Sequence, residues 1–515
     1  MASNGMGRRR FVRMSAGTLI AGAASDLLLG CAGTQPRPEG ASGGVGYFAR
    51  FGVTELMIAE ALGAALSRGG DYADVFFQHR VSNDLALEDG AVNRAFTTVE
   101  LGVGVRVVNG DQTGYGYTED LSLPAMLECA RTAAAIADGP AQPAPTAFHV
   151  GTAHPDRYPL RRAWEQVPPG ERRPLLAQLN ERTFAADPRV RKVNLHLRSD
   201  SSTILVADST GRLVEDRQPM TILSLSVMAE QDGRREQNGY NVAGRAGFEF
   251  YTPDRLDRLV RRAVDRTTIL FEAGPPPAGE LPVVLAAGSS GILLHEAIGH
   301  GMEADFNRKG TSIYADRLGK PVARPFVNIV DDATLQAARG AINVDDEGNQ
   351  AGRTVLVENG VLTSYLHDAI SARHYRVAPT GNGRRESYRH PPLPRMRATY
   401  MLAGPHHPEE IIASVKRGLY CQNFSNGQVN IGAGDFTFYV KNGFLIEDGK
   451  LTRPVKDVNV IGNGPKALEQ VDMVGDDLEI DEGGWTCGKD GQSVPVSQGL
   501  PTVRVASLTV GGRGA

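Results

Sequence analysis

Gly291-Ile-Leu-Leu-His295-Glu296-Ala-Ile-Gly299-His300-Gly301 is the stretch from which the rest of the chain can be read. It follows an apolar run, residues 281–287, that reads as a buried strand, and the link Gly288-Ser-Ser-Gly291 then opens a helix. Ser289 or Ser290 is expected to cap that helix. Strand, glycine link and apolar helix place three polar side chains on an element that otherwise belongs in a core.

Those three side chains suit metal chemistry. Each imidazole offers a neutral nitrogen to a borderline-soft metal. A glutamate beside the first histidine can take a proton from activated water. His-Glu-x-x-His zinc peptidases use the same logic, but the spacing here is His-Glu-x-x-x-His. At ~3.6 residues per turn a straight helix aims residues i and i+5 roughly 140° apart. The rings can converge only if the helix widens into a π turn or breaks before His300. Gly299 and Gly301 ease such a distortion, and one is expected there. The glycine link lacks the lysine of a nucleotide loop, and no Gly-x-Ser-x-Gly stands at this turn, which argues against a phosphate cradle and a serine hydrolase.

A catalytic zinc needs three protein ligands and one open position. Candidates for the third are Glu303, Asp305, the remaining histidines and Cys487, which stands in Gly483-Gly-Trp-Thr-Cys487-Gly-Lys-Asp-Gly-Gln492. Spacing alone does not choose Cys487 over Glu303. Charge developing on a substrate carbonyl calls for an oxyanion partner. His374, Tyr375, Arg384 and Arg385 are the candidates.

Outward from this motif, helices are expected over residues 54–68, 123–137, 171–186, 255–271 and 408–416, and strands over 74–79, 84–88, 98–108, 191–208 and 220–230. Asp89-Gly90, Asn109-Gly110, Asp232-Gly233, Asn359-Gly360, Asn442-Gly443 and Asp448-Gly449 read as turns. The fold class is α+β, with mainly antiparallel sheets, packed helices and the active-site helix in the second of two major domains. Gly274–Gly279, with three consecutive prolines, divides an N-terminal domain over 47–275 from a C-terminal one over 280–515. A net charge of −4 gives no reason to expect nucleic acid as partner. Four scattered cysteines are no disulfide scaffold.

The N-terminus reads as an address. Arg8-Arg9-Arg10-Phe11-Val12-Arg13 precedes a weakly apolar stretch and Leu28-Leu29-Gly30-Cys31. Residues 1–31 resemble a twin-arginine signal ending in a lipobox, with Cys31 the lipidated residue, and residues 32–46 a flexible tether. The expectation is an exported, periplasmic or membrane-anchored protein. A cytoplasmic protein with a basic leader is the alternative.

Residues 291–305, the stretch Gly381-Asn-Gly-Arg-Arg-Glu-Ser-Tyr-Arg-His390, residues 399–402, 487–496 and 508–512 resemble the TldD/PmbA metallopeptidases, specifically the zinc-bearing TldD-like subunit. The resemblance covers roughly residues 50–512. It implies that His295, His300 and Cys487 hold zinc and that Glu296 is the base. It further implies action on small or unfolded peptides bound as an added strand, and a homodimer or a heterodimer with a zinc-free homologue. A non-catalytic scaffold subunit is the rival reading. Members of this family are typically cytoplasmic, and the export signal departs from that pattern.

Overall fold

Four long strands build the first half: Tyr72–Glu88, Ala91–Asn109, Val190–Asp208 and Arg212–Gln231. The computed structural model describes residues 45–151 and 155–512. Within them, the four strands join Gln112–Thr118, His149–Gly151 and Arg234–Gly244 in one sheet of seven, antiparallel except where His149–Gly151 runs parallel to Arg212–Gln231. The two strands expected over 74–79 and 84–88 are one continuous strand, because Ser82 and Asn83 stay in register with Thr98 and Thr97. Asp89-Gly90 and Asp232-Gly233 turn the chain with both residues at positive φ, as hairpins of right-handed twist require.

Alternation of side chains along these strands decides what each face does. Val75, Phe77, Val193, Leu195, Leu205 and Leu223 lie on one face. Helices Glu55–Ala65 and Leu123–Ala134 cover one end of it, and Pro169–Ala186 with Pro253–Thr268 cover the other. The opposite face carries Asp74, Gln78, Arg80, Arg106, Arg198 and Asp200. Its polar side chains are sheltered by residues from the second half of the chain, not by helices.

Among the described residues no strand before Gly274 shares a sheet with one after Gly279. In the second half, strands Arg417–Val429, Gly279–Leu285, Val503–Gly512, Val458–Asn463 and Asp435–Glu447 pair in that order, and the last returns to pair with the first. The ring encloses Val283, Leu285, Leu419, Phe438, Val460 and Val505. Asn442-Gly443 is no turn: it lies inside Asp435–Glu447, and the glycine is there because a Cβ would come within 2.7 Å of the Tyr420 carbonyl. A second sheet includes Ile329–Asp332, Arg353–Glu358, Ala398–Met401 and Ser497–Leu500. Neither Ser289 nor Ser290 caps the histidine helix; Ser289 donates its hydroxyl to the Gln422 carbonyl. The proposed signal over 1–31, with Cys31, and all but the end of the tether lie outside the described residues. No described helix is long and apolar enough to cross a membrane.

The two halves are tied by a fully buried charge network. Asp74 accepts from Arg106 Nε at 2.6 Å and from Arg385 Nη2 at 3.2 Å, and Arg106 Nη2 reaches Glu347 at 2.8 Å. Removing one member of such a network strands the others without a counter-charge. Asp74→Ala is therefore expected to cost ~3–5 kcal/mol of stability, measured as a lower midpoint of urea unfolding. An unchanged midpoint would show that the network contributes nothing to stability.

Candidate functional site

The helix that leaves Gly288 is broken into short pieces of different pitch. Ser289–Gly291 is a 3-10 turn, Ile292–Leu294 is α-helical, His295–Gly299 is a π turn and His300–Met302 is again 3-10. The His300 N–H bonds to the His295 carbonyl, five residues back, which is the pairing that defines the π pitch. That one widened turn cancels the angular mismatch of the five-residue spacing. The two rings stand 5.0 Å apart, centre to centre, with planes at 82°.

The neighbouring glycines act through space, not through unusual dihedrals. Gly299 has ordinary helical angles, φ −61° and ψ −48°. A Cβ on it would run into Met396 Sδ, and one on Gly301 would lie 2.6 Å from the Tyr314 ring. The distorted turn is thus packed in place by side chains from outside it.

Cys487 arrives on a hairpin, Thr486–Lys489 paired with Gln492–Pro495. Asp490 and Gly491 turn it at positive φ. Arg395, fully buried, donates Nη2 to the Cys487 carbonyl at 2.6 Å and fixes the strand. The sulfur lies 3.4 Å from His300 Nε2. Ligand atoms of His295, His300 and Cys487 all fall within 4.8 Å of one another, and all three residues are buried. Tetrahedral bonds of ~2.0–2.3 Å separate neighbouring donors by roughly 3.4–3.6 Å; the His300–Cys487 pair has that spacing and a His295 nitrogen lies within 4.8 Å of both, a donor set of the chemistry that suits a borderline-soft divalent ion. His295 Nδ1 is buried with no hydrogen-bond partner.

The three groups are electrostatically coupled to one another. Burial alone would raise the Cys487 thiol, but His295 and His300 pull it well below its ordinary range. Burial would lower His300, yet Glu303 and the sulfur raise it well above the usual imidazole range. Glu303 is fully buried and accepts from His300 Nδ1 at 3.0 Å, orienting Nε2 toward the sulfur. Although burial opposes ionisation, Lys489 at 3.1 Å and the His300 ring bring Glu303 down to about 2. Lys489 also reaches Asp305 at 2.8 Å. Of the candidates for a third ligand, Glu303 and Asp305 are therefore engaged by His300 and Lys489, while Cys487 lies with the two rings.

Family models described as PmbA/TldA metallopeptidase domain 1, central domain and C-terminal domain match residues 73–137, 162–271 and 278–512. The Metalloprotease TldD homolog of Haemophilus influenzae is 40% identical over 453 residues, covering 86% of this chain and 94% of its own.

The chain belongs to the PmbA/TldD metallopeptidase family.

A further family member, the Zinc metalloprotease TldD homolog of Saccharolobus solfataricus, is 32% identical over 56% of this chain and 64% of its own. The crystal structure of TldE from Thermococcus kodakarensis superposes with a TM-score of 0.69 at 17% identity, over 89% of this chain and 99% of that one, and shares its fold.

The four oxyanion candidates of this PmbA/TldD chain share no hydrogen bond with His295, Glu296, His300 or Cys487 among the described residues. Arg384 donates to the Met396 and Pro495 carbonyls, and Arg385 to Asp74, Tyr115 and the Asp346 carbonyl. Tyr375 packs against Tyr365, His367 and His374 at the end of Ala369–Tyr375. Sequence reading missed the orienting role of Glu303. Its position three residues after His300 was the available signal, since i and i+3 side chains meet on a helix.

Carboxylates that orient a ligating histidine typically tune metal affinity ~10–100-fold. Glu303→Gln is expected to weaken divalent-metal binding by that factor while the fold persists, measured by competition with a chromophoric chelator. Unaltered affinity would detach Glu303 from the centre.

Proposed function

We propose that the protein is a zinc metallopeptidase acting on small or unfolded peptides, with His295, His300 and Cys487 as ligands and Glu296 as general base. The observation that carries this reading is the π turn, which leaves two imidazoles and a solitary thiol sharing one point. A relative named as a zinc metalloprotease supports the choice of metal. Two histidines and one cysteine also leave a tetrahedral ion its fourth position.

Bound there, zinc supplies a Lewis acid that lowers the pKa of a water toward ~7 and polarises the scissile carbonyl. The protein's part is to hold, orient and move protons. His295 and His300 present ring nitrogens, and the thiolate of Cys487 completes the set. Glu296, the next residue after a ligand, takes the proton of the attacking water and passes it to the leaving amine. Burial raises the Glu296 carboxyl, with the two imidazoles opposing. A stronger base is better matched to neutral pH. Gly427 lies against its stem, since a Cβ on Gly427 would lie 3.1 Å from Glu296 Cγ.

Two substitutions separate binding from chemistry. Glu296→Gln is expected to retain one zinc per chain and to lose peptide cleavage by ~10²–10⁴-fold; metal analysis beside single-turnover assays reads both. Cleavage at the native rate would remove Glu296 from the mechanism. Cys487→Ser is expected to fall well below one zinc per chain after dialysis, and full occupancy would remove the sulfur from the ligand set.

A further inference from the structure

A cavity of about 390 Å³ lies where the polar face of the first sheet meets the second half of the chain. Its floor is the even-numbered side chains of the long strands, among them Arg80, Arg198 and Asp200. Its roof brings Arg245, Arg339, Arg384 and Arg385 from separate places in the sequence. Six guanidinium groups therefore converge on one space, against the carboxylates of Asp200, Asp346 and Glu386.

Half of these arginines are accounted for. Asp200 takes Arg80 at 3.0 Å and Arg198 at 3.5 Å, and Asp74 takes Arg385 at 3.2 Å. Arg245, Arg339 and Arg384 have no carboxylate within ion-pair distance among the described residues. Their hydrogen bonds end on neutral acceptors. Arg384 donates to two carbonyls at 2.6 and 2.8 Å, Arg339 to the Trp485 carbonyl at 2.9 Å and Thr486 Oγ1 at 3.2 Å, and Arg245 to Gln218 at 3.4 Å. Arg245 and Arg384 are each 4% exposed, and Arg245 Nε has no partner at all. Burial pushes all three below the usual guanidinium range, opposed by Asp216 and Asp346 at Arg245, by Asp200 at Arg339 and by Asp346 and Asp331 at Arg384, none of them within ion-pair distance. Arginine nevertheless stays charged in proteins, so positive charge is left facing the cavity without a paired carboxylate.

The cavity shares a wall with the metal centre. Side chains alternate along the Cys487 hairpin. The sulfur faces the histidine rings, and the adjacent Thr486 faces Arg339 and the cavity. The cavity and the candidate reaction centre are therefore separated by the thickness of one hairpin.

We infer that this cavity is a carboxylate subsite that takes a C-terminal carboxylate or an acidic side chain of the peptide being cleaved. The inference rests on the peptidase reading for the identity of the ligand, but the unpaired arginines stand without it. Planar guanidinium groups grip carboxylates through paired, charge-assisted hydrogen bonds. Such an occupant would neutralise Arg245, Arg339 and Arg384 while anchoring the peptide beside the hairpin.

The test uses zinc-loaded full-length Glu296→Gln protein and calorimetry, so that binding is read apart from cleavage. The probes are an N-acetylated alanine tripeptide as free acid, its C-terminal amide, the amide with a central glutamate or glutamine, and inorganic phosphate. An ionised terminus or glutamate is expected to bind about 10–100-fold tighter than its neutral twin. The free-acid pair and the glutamate–glutamine pair tell the two carboxylate sources apart. Arg245→Met, made in the same background, is expected to bring the acid-to-neutral ratio close to one without lowering the thermal midpoint, since it removes a buried charge that no carboxylate meets within ion-pair distance. If Arg245→Met does not fold, Arg339→Gln provides the same comparison. Equal binding of charged and neutral twins, an unaltered ratio in the variant, or binding of phosphate alone would overturn the inference. Failure of the native enzyme to cleave any peptide would instead strike the peptidase reading, leaving the binding result to be judged separately.

Discussion

Two imidazoles five residues apart on a helix can meet only if the helix widens or breaks between them, and this constraint organises the centre of the molecule. The widened turn, His295–Gly299, is not a stable state of an isolated helix. It persists because Met396 and Tyr314 fill the space that side chains on Gly299 and Gly301 would occupy, and because Glu303 holds the far nitrogen of His300 from within the core. Glu303 in turn depends on Lys489, which belongs to the same hairpin as Cys487. The helix and the hairpin are thus locked to each other by a buried chain of hydrogen bonds and ion pairs running His300, Glu303, Lys489, Asp305. Displacing either element would leave charge in the interior without a partner.

The hairpin works on both faces. One carries the sulfur toward the rings, and the other carries Thr486 toward a cavity rich in arginine. Arg395 and Arg384 grip its backbone at Cys487 and Pro495. Buried arginines so placed position the strand through carbonyl oxygens and keep their charge, which raises the local positive potential beside the His295–His300–Cys487 cluster. The roof of that cavity comes largely from the second half and its floor from the first sheet. Closing the two halves together therefore builds this part of the molecule.

Much of this is legible from residue order. Period-two alternation and Asp-Gly or Asn-Gly turns locate the long hairpins, and the His-Glu-x-x-x-His spacing demands a distorted helix whatever packs around it. Where such reading fails, the cause is packing. Asn442-Gly443 has the composition of a turn but sits mid-strand, because the glycine answers to a neighbouring carbonyl. Ser289 and Ser290 have the chemistry of caps but find partners or burial elsewhere. Arg384 and Arg385 lie beside each other in sequence, yet a tertiary contact gives one a carboxylate and leaves the other only carbonyls.

The sequence by itself determined the α+β class, the apolar helix with its misfit histidines and the residue types able to hold a metal, since all of these follow from local spacing and side-chain chemistry. Tertiary structure alone decided that a cysteine 187 residues beyond His300 joins the pair, that Glu303 orients a ring instead of serving as a ligand candidate beside the sulfur, and that arginines from distant segments share one cavity. Those outcomes depend on which faces of separate elements are buried against each other, and linear order does not carry that information.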